Sequence, residues 1–239
     1  GPAFSTQRGI ELAKGDFIKL IGGDDYIFPK CTSLLLNGIL KHRSVAIFSK
    51  FILKDYLNEK IDRNLFKNKL INYRKIDFPI KDTLLNCFSG TSPTLYCNQA
   101  IKKSKGCNIK LFVEDFSLAL ELSKFGSFAF VDNITSVGPK NDKNRIMLNN
   151  EVQLFHDYNA AIYYFLKNND IIESSWIKKI ASKCVGRSEK YSRRVLKISI
   201  FNYMNLLKIK LFLFKYSRNQ LISFIKQSCK YLYKTPDRS

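Results

Sequence analysis

The chain has 239 residues, 45% of them hydrophobic, with 40 Lys and Arg against 20 Asp and Glu and a formal charge of +20. That composition excludes a disordered chain and suffices for one sizeable core, or a core with a helical appendage. The charge points to an anionic partner (phosphate, nucleic acid or an acidic membrane face) without choosing among them.

Residues 9–14 read as the end of a helix, stopped by Gly15. Phe17–Ile21 is a short apolar run that reads as a buried strand, closed by Gly22 and Gly23. Asp24 and Asp25 follow at once, and Pro29 ends the loop. A helix is expected over 30–41 and a strand over 44–51, whereas 54–86 is polar and carries no assignable pattern. The loop Ser89–Pro93 leads into an apolar stretch at 94–96. Residues 115–125 carry Phe116, Leu118, Leu120, Leu122 and Phe125, which predicts a helix stopped by Gly126, and 127–131 is a second short strand. A polar loop from Gly138 to Asn150 holds Lys143 and Arg145. From 151 onward the pattern is helical and strongly basic. The expected organisation is therefore an α/β part over 1–150 and a basic helical tail over 151–239.

The six cysteines (31, 87, 97, 107, 184 and 229) form no CxxC pair and no Cys/His cluster. They read as reduced thiols of a cytoplasmic protein rather than as a zinc site. Residues 195–214 come nearest to a membrane span, but Lys197, Asn202, Asn205, Lys208 and Lys210 interrupt them. No recognised nucleic-acid-binding motif is present.

Two constellations could carry chemistry. Gly22-Gly23-Asp24-Asp25 follows a predicted strand, at the edge where open α/β sheets gather ligands. Gly22 and Gly23 would let backbone approach a bulky anion, and the two carboxylates would hold a hard divalent cation through oxygen. An ordinary surface turn has the same composition. The second is Glu114-Asp115, which opens a predicted helix. Asp115 would serve as a general base towards an acceptor hydroxyl, or as a plain helix N-cap.

Taken together, three segments resemble the family-2 glycosyltransferases. GIELAKGDFIKLIGGDDYIFP (9–29) is similar to the segment ending in that family's metal-binding DxD motif, with Ala13, Gly15, Phe17, Ile18, Asp24, Asp25 and Pro29 in place and Gly22 standing where the first Asp would be. VEDFSLALELSKFGSFAFVD (113–132) resembles the second signature, in which an acidic pair opens a helix and its Asp is the base. SGTSPTLYCNQAIKK (89–103) resembles the loop that shapes the sugar and acceptor pocket, which brings in Gly90 and Thr91.

The resemblance implies a partial GT-A (nucleotide-diphospho-sugar transferase) fold: a mixed sheet with flanking helices, followed by the basic helical tail. It implies metal-assisted, inverting transfer from a nucleotide sugar, a UDP-sugar, to a glycan or lipid-linked acceptor of a bacterial surface polysaccharide. Asp24 and Asp25 would hold Mn²⁺ or Mg²⁺, Asp115 would be the base and Glu114 would orient it or the sugar. Lys143 and Arg145 would belong to a loop over the diphosphate. His156 is a further metal-ligand candidate, against a structural role. Asp24 and Asp115 should then line one cleft. The family begins with a strand, a helix and an acidic nucleobase-binding loop before the point where this sequence starts, so the chain reads as a truncated form or a piece of a larger protein. The basic, aromatic tail fits either a helical hairpin packed on the core or contact with the inner face of a membrane, placing the protein in the cytoplasm or at that surface. Two rival functions are a non-catalytic remnant of the fold and a basic membrane-peripheral or nucleic-acid-binding protein.

Overall fold

The apolar alternation of three strands sets the architecture. In the computed structural model, which describes residues 1–55, 70–86, 88, 90–104, 106–140, 150–194, 197 and 203–229, Ala46 and Phe48 point to one side of a sheet and Ile47 to the other. Tyr96 and Leu95 divide in the same way, as do Phe128 and Ala129. This is the period-2 signature of a sheet buried on both faces.

The elements run α1 (Pro2–Leu12), β1 (Phe17–Ile18), β2 (Tyr26–Ile27), α2 (Cys31–His42), β3 (Ala46–Lys54), β4 (Tyr73–Ile76), α3 (Pro79–Asn86), β5 (Thr94–Cys97), α4 (Asn98–Ser104), α5 (Glu114–Leu122), β6 (Phe128–Pro139), α6 (Glu151–Asn168), α7 (Ser174–Arg194), α8 (Tyr203–Leu213) and α9 (Arg218–Cys229). Contacts divide the chain into two units. The first comprises Gly1–Ile109 and Glu114–Arg145, and the second Lys110–Val113 and Ile146–Ser239.

The first unit is a mixed sheet in the order β1-β5-β3-β6-β2, with β4 also on β6. β3 and β6 are parallel, and the other pairs are antiparallel. β6 is long enough to take β4 along Phe128–Val131 and β2 at Ser136 and Val137 on the same edge. Helices flank both faces. Ile101 of α4 and Leu118, Ala119 and Leu122 of α5 pack with Phe48, Tyr96 and Phe128. Leu34, Leu35 and Ile39 of α2 cover the opposite face with Ile47, Leu95, Ala129 and Val131. This is the mixed sheet with flanking helices expected from the sequence.

Several boundaries differ from expectation. The first strand is only Phe17–Ile18, and Lys19–Gly23 leave it as a loop. β6 continues eight residues past Val131 to Pro139, because its polar residues Asn133, Thr135 and Ser136 are buried and so hid the strand's apolar alternation. β4 and α3 lie in the polar stretch that showed no pattern.

The second unit is helical. α7 buries Ile177, Ile180, Ala181, Cys184, Val185, Ser188 and Ser192, a stripe at i, i+3, i+4 and i+7. α9 buries Leu221, Phe224, Ile225 and Ser228. Arg218 donates to the carbonyls of Leu166, Asn169 and Ile172, which meets acceptors left open at the end of α6. Among the described residues no helix is long and apolar enough to cross a membrane, and Cys31, Cys97, Cys107, Cys184 and Cys229 are free thiols.

Candidate functional site

The two acidic constellations are tied to a single loop. Thr94 Oγ1 donates to the carbonyls of Gly90 and Thr91 at 3.0 and 2.7 Å, which folds 90–93 into a tight turn ahead of β5. Gly90 has a φ of +126°, and a Cβ there would lie 3.0 Å from Pro93 Cγ, so the turn requires glycine. Its N–H donates to Asp115 Oδ2 at 2.6 Å. Two residues on, Ser92 Oγ donates to Asp25 Oδ2 at 2.5 Å and accepts the Gly22 N–H at 3.1 Å. Residues two apart in a chain span at most about 7 Å, so Asp25 and Asp115 are held by neighbouring points of one loop.

Asp25 lies between β1 and β2, immediately before Tyr26. Its position is fixed by the loop and by β2 pairing with Val137. Asp24 is exposed and Asp25 half-buried. A Cβ on Gly22 would sit 2.7 Å from Asp25 Oδ2 and 3.3 Å from Asp24 Oδ1. Both carboxylates therefore turn towards the space beside Gly22, where a larger residue would push the Asp25 carboxylate aside. A Cβ on Gly23 would meet nothing within 4 Å, so packing within the chain makes no demand for glycine there.

Oxygen donors converging on a gap suit a hard divalent cation. Among the described residues no group of three or more His, Cys, Asp or Glu side chains gathers in one place. A cation at Asp24 and Asp25 would accordingly complete its shell from ligand phosphate oxygens and water, as Mg²⁺ commonly does.

Glu114 and Asp115 form the first turn of α5. Asp115 is not the N-cap of its helix. Its Oδ1 accepts the next N–H, that of Phe116, at 2.7 Å, while Oδ2 reaches the Gly90 loop. Burial raises its pKa, and the backbone N–H groups of Phe116 and Gly90 oppose that rise by stabilising the carboxylate. Glu114 is pushed up to about 7 by burial first and the neighbouring Asp115 charge second. The pair thus offers a carboxyl group that titrates near neutrality beside a half-buried, more basic carboxylate than usual.

Two contributors escaped sequence reasoning. Ser92, fully buried, joins Asp25 to the loop. Lys19 donates to the Ser92 carbonyl, and burial lowers its pKa while the Cys31 and Asp25 charges oppose this. No local signal marks either residue, because both contacts cross about seventy residues of sequence. Thr91 is placed on the turn through its carbonyl. Lys143 and Arg145 lie outside the described residues. His156 belongs to α6 of the second unit, with Nδ1 2.7 Å from Asp157 Oδ1, and that carboxylate also takes the Phe112 N–H and the Gln153 amide.

No protein-family model matches the sequence, and no curated protein matches it. Solved structures do. The crystal structure of S. aureus TarS 1-349 matches 96% of this chain and 61% of its own length, with a TM-score of 0.55 and 14% identity. Its complex with UDP matches 96% and 68%, with a TM-score of 0.57 and 15% identity. The complex with UDP-GlcNAc matches 81% and 55%, with a TM-score of 0.55 and 15% identity. The chain thus spans about three fifths of the length of the first of these structures, and at this identity the likeness speaks for the fold, which is a partial glycosyltransferase fold.

Proposed function

We propose that the chain is the catalytic part of a glycosyltransferase that moves a sugar from a nucleotide-sugar donor to a hydroxyl of a surface glycan or lipid-linked glycan. The observation that carries this reading is the 90–93 loop, which takes Asp25 with one residue and Asp115 with another. Sugar transfer needs a group that handles the diphosphate and a base that handles the acceptor, both at one carbon. The TarS structures of the same fold, in complex with UDP and with UDP-GlcNAc, support a nucleoside-diphosphate donor.

In this reading the acceptor hydroxyl gives its proton to the Asp115 carboxylate as its oxygen bonds to the anomeric carbon. The bond from that carbon to the diphosphate oxygen breaks, and the electron pair leaves with the diphosphate. Attack from the face opposite the leaving group inverts the anomeric centre. Burial suits Asp115 to the task by raising its proton affinity, and the Gly90 N–H fixes its direction. Glu114, which titrates near neutrality, presents a proton to a sugar or acceptor oxygen.

Asp24 and Asp25 would hold Mn²⁺ or Mg²⁺, which when bound supplies positive charge to the departing diphosphate. Gly23 leaves room for the diphosphate, and Gly90 and Thr91 border the sugar. Lys143 and Arg145 add cations to the diphosphate in this scheme.

Calorimetric titration of the chain with UDP, with and without Mn²⁺, tests the donor half. UDP binding that strengthens with Mn²⁺ and weakens in Asp25→Asn is expected. Absence of UDP binding under both conditions would instead mark a non-catalytic remnant of the fold.

A further inference from the structure

The helix α8 has two apolar sides. At 100° per residue, Leu207 and Leu211 share one side, and both are buried. Leu206, Ile209, Phe212 and Leu213 fall on an opposite arc of about 120°. They are 46%, 50%, 85% and 64% exposed. Lys208 and Lys210 stand at the two seams between these sides. An ordinary surface helix would carry polar residues on that outer arc. Phe214, just past the helix, is 56% exposed and extends the apolar patch, and Lys178 of α7 donates to its carbonyl.

Beside this patch, α7 and α8 form an open cavity of about 560 Å³ lined by Gly186, Glu189, Lys190, Arg193 and Lys208. Glu189 is buried, and its carboxylate is already met by Arg193 Nε at 2.5 Å and Lys208 Nζ at 3.5 Å. Three cations against one carboxylate leave the cavity positive. Lys208 also lines the adjoining groove of about 480 Å³, whose wall includes Ile209, Phe212 and Leu213. Cations at a cavity and apolar side chains next to it thus share one corner of the helical unit.

We propose that this corner docks on an anionic lipid bilayer, with Phe212 and Leu213 entering the headgroup layer and Lys190, Arg193 and Lys208 meeting lipid phosphates. Charge decides the occupant. A second copy of the chain would bring these cations against their own kind, whereas an acidic bilayer offers apolar depth and negative charge in the same plane. Long basic side chains suit that boundary, since their stems lie along apolar surface while their heads stay at the polar layer. This inference stands apart from the sugar-transfer reading, because vesicle binding requires neither donor nor acceptor.

The test is co-sedimentation of the full chain with phosphatidylglycerol-containing vesicles and with pure phosphatidylcholine vesicles, in low and in high salt. Binding to the anionic vesicles that falls with salt is expected. Lys190→Ala, and Lys210→Ala at the other seam bordering the exposed apolar arc, should each weaken partitioning about fivefold, corresponding to about 1 kcal/mol for each cation near the surface. Phe212→Ser with Leu213→Ser should weaken it at least tenfold while leaving the circular dichroism spectrum and melting temperature unchanged, since both side chains are exposed. The charge variants report independently should the apolar pair disturb α8. Several outcomes would overturn the proposal: no binding to anionic vesicles in low salt, equal binding to neutral ones, or full binding by the Phe212 and Leu213 variant. So would displacement by millimolar inorganic phosphate at constant ionic strength, which would make the cavity a free-phosphate site. A dimer lost in the Phe212 variant would assign the patch to a second copy, and capture of a single-stranded oligonucleotide in place of vesicles would assign it to nucleic acid.

Discussion

Asp115 is half-buried and held by two backbone N–H groups; the hydrogen bonds fix its direction, and burial raises its proton affinity against their opposing effect. Asp115→Asn keeps the shape and removes the base. In an assay of sugar transfer, kcat should fall by about 10²–10⁴ while UDP affinity stays near that of the parent. Undiminished kcat would move the base to another residue. Glu114 gives a stability prediction of definite sign. Its pKa rises from 4.5 to about 7 on folding, so the native state binds the proton more tightly than the unfolded chain. The stabilisation is complete below pH 4.5 and is lost as pH rises through 7. At about 1.4 kcal/mol for each pH unit, the loss reaches at most about 3.5 kcal/mol. Urea unfolding at pH 5 and pH 8 should show this decline in the parent and a flatter profile in Glu114→Gln.

At the scale of elements, the loop between α3 and β5 has more consequence than its length suggests. Gly90→Ala would force an L side chain into a φ of +126° against Pro93 and pull the N–H away from Asp115. A stability cost of about 1–3 kcal/mol is expected, together with loss of transfer activity, both measurable on one preparation. Leu118 is fully buried where α5 meets the sheet, so Leu118→Ala should cost about 2–5 kcal/mol in denaturant unfolding. α2 and α5 were legible in the sequence because their apolar spacing is regular, with Gly126 stopping the second, whereas β5 showed only as an apolar stretch after a loop. β4 was not, since Arg74 and Lys75 are exposed on a short strand covered chiefly by its pairing with β6. The far half of β6 was hidden by Thr135 and Ser136, buried polar residues in a sheet strand. In the site, the acidic pairs were legible as types in a pattern. Ser92 and Lys19 were not, because their partners come from distant sequence and only the folded loop brings them together. The spacing of Leu196, Ile200, Leu207, Leu211 and Phe214 predicts one apolar side along the tail; Leu207 and Leu211 are buried and Phe214 is exposed, while Leu196 and Ile200 lie outside the described residues.

For the molecule as a whole, a formal charge of +20 on 239 residues means that like charges repel in the compact state. Raising NaCl from about 20 to 300 mM shortens the Debye length from tens of ångströms to several, so the melting temperature should rise with salt, and scanning calorimetry at the two concentrations would read it. The parallel pairing of β3 with β6 has a kinetic consequence. β3 and β5 pair antiparallel once β4 and α3 lie between them, but Ala46 finds Phe128 only after β4, α3, β5, α4 and α5 have been threaded between them. Closing so long a chain loop comes before any of its contacts can reward it, so this ladder sets the pace of folding and completes late. During synthesis the edge of β3 must wait for β6 to leave the ribosome, and until then Ile47 and Phe48 present an open strand that a chaperone, or another nascent chain, can reach first.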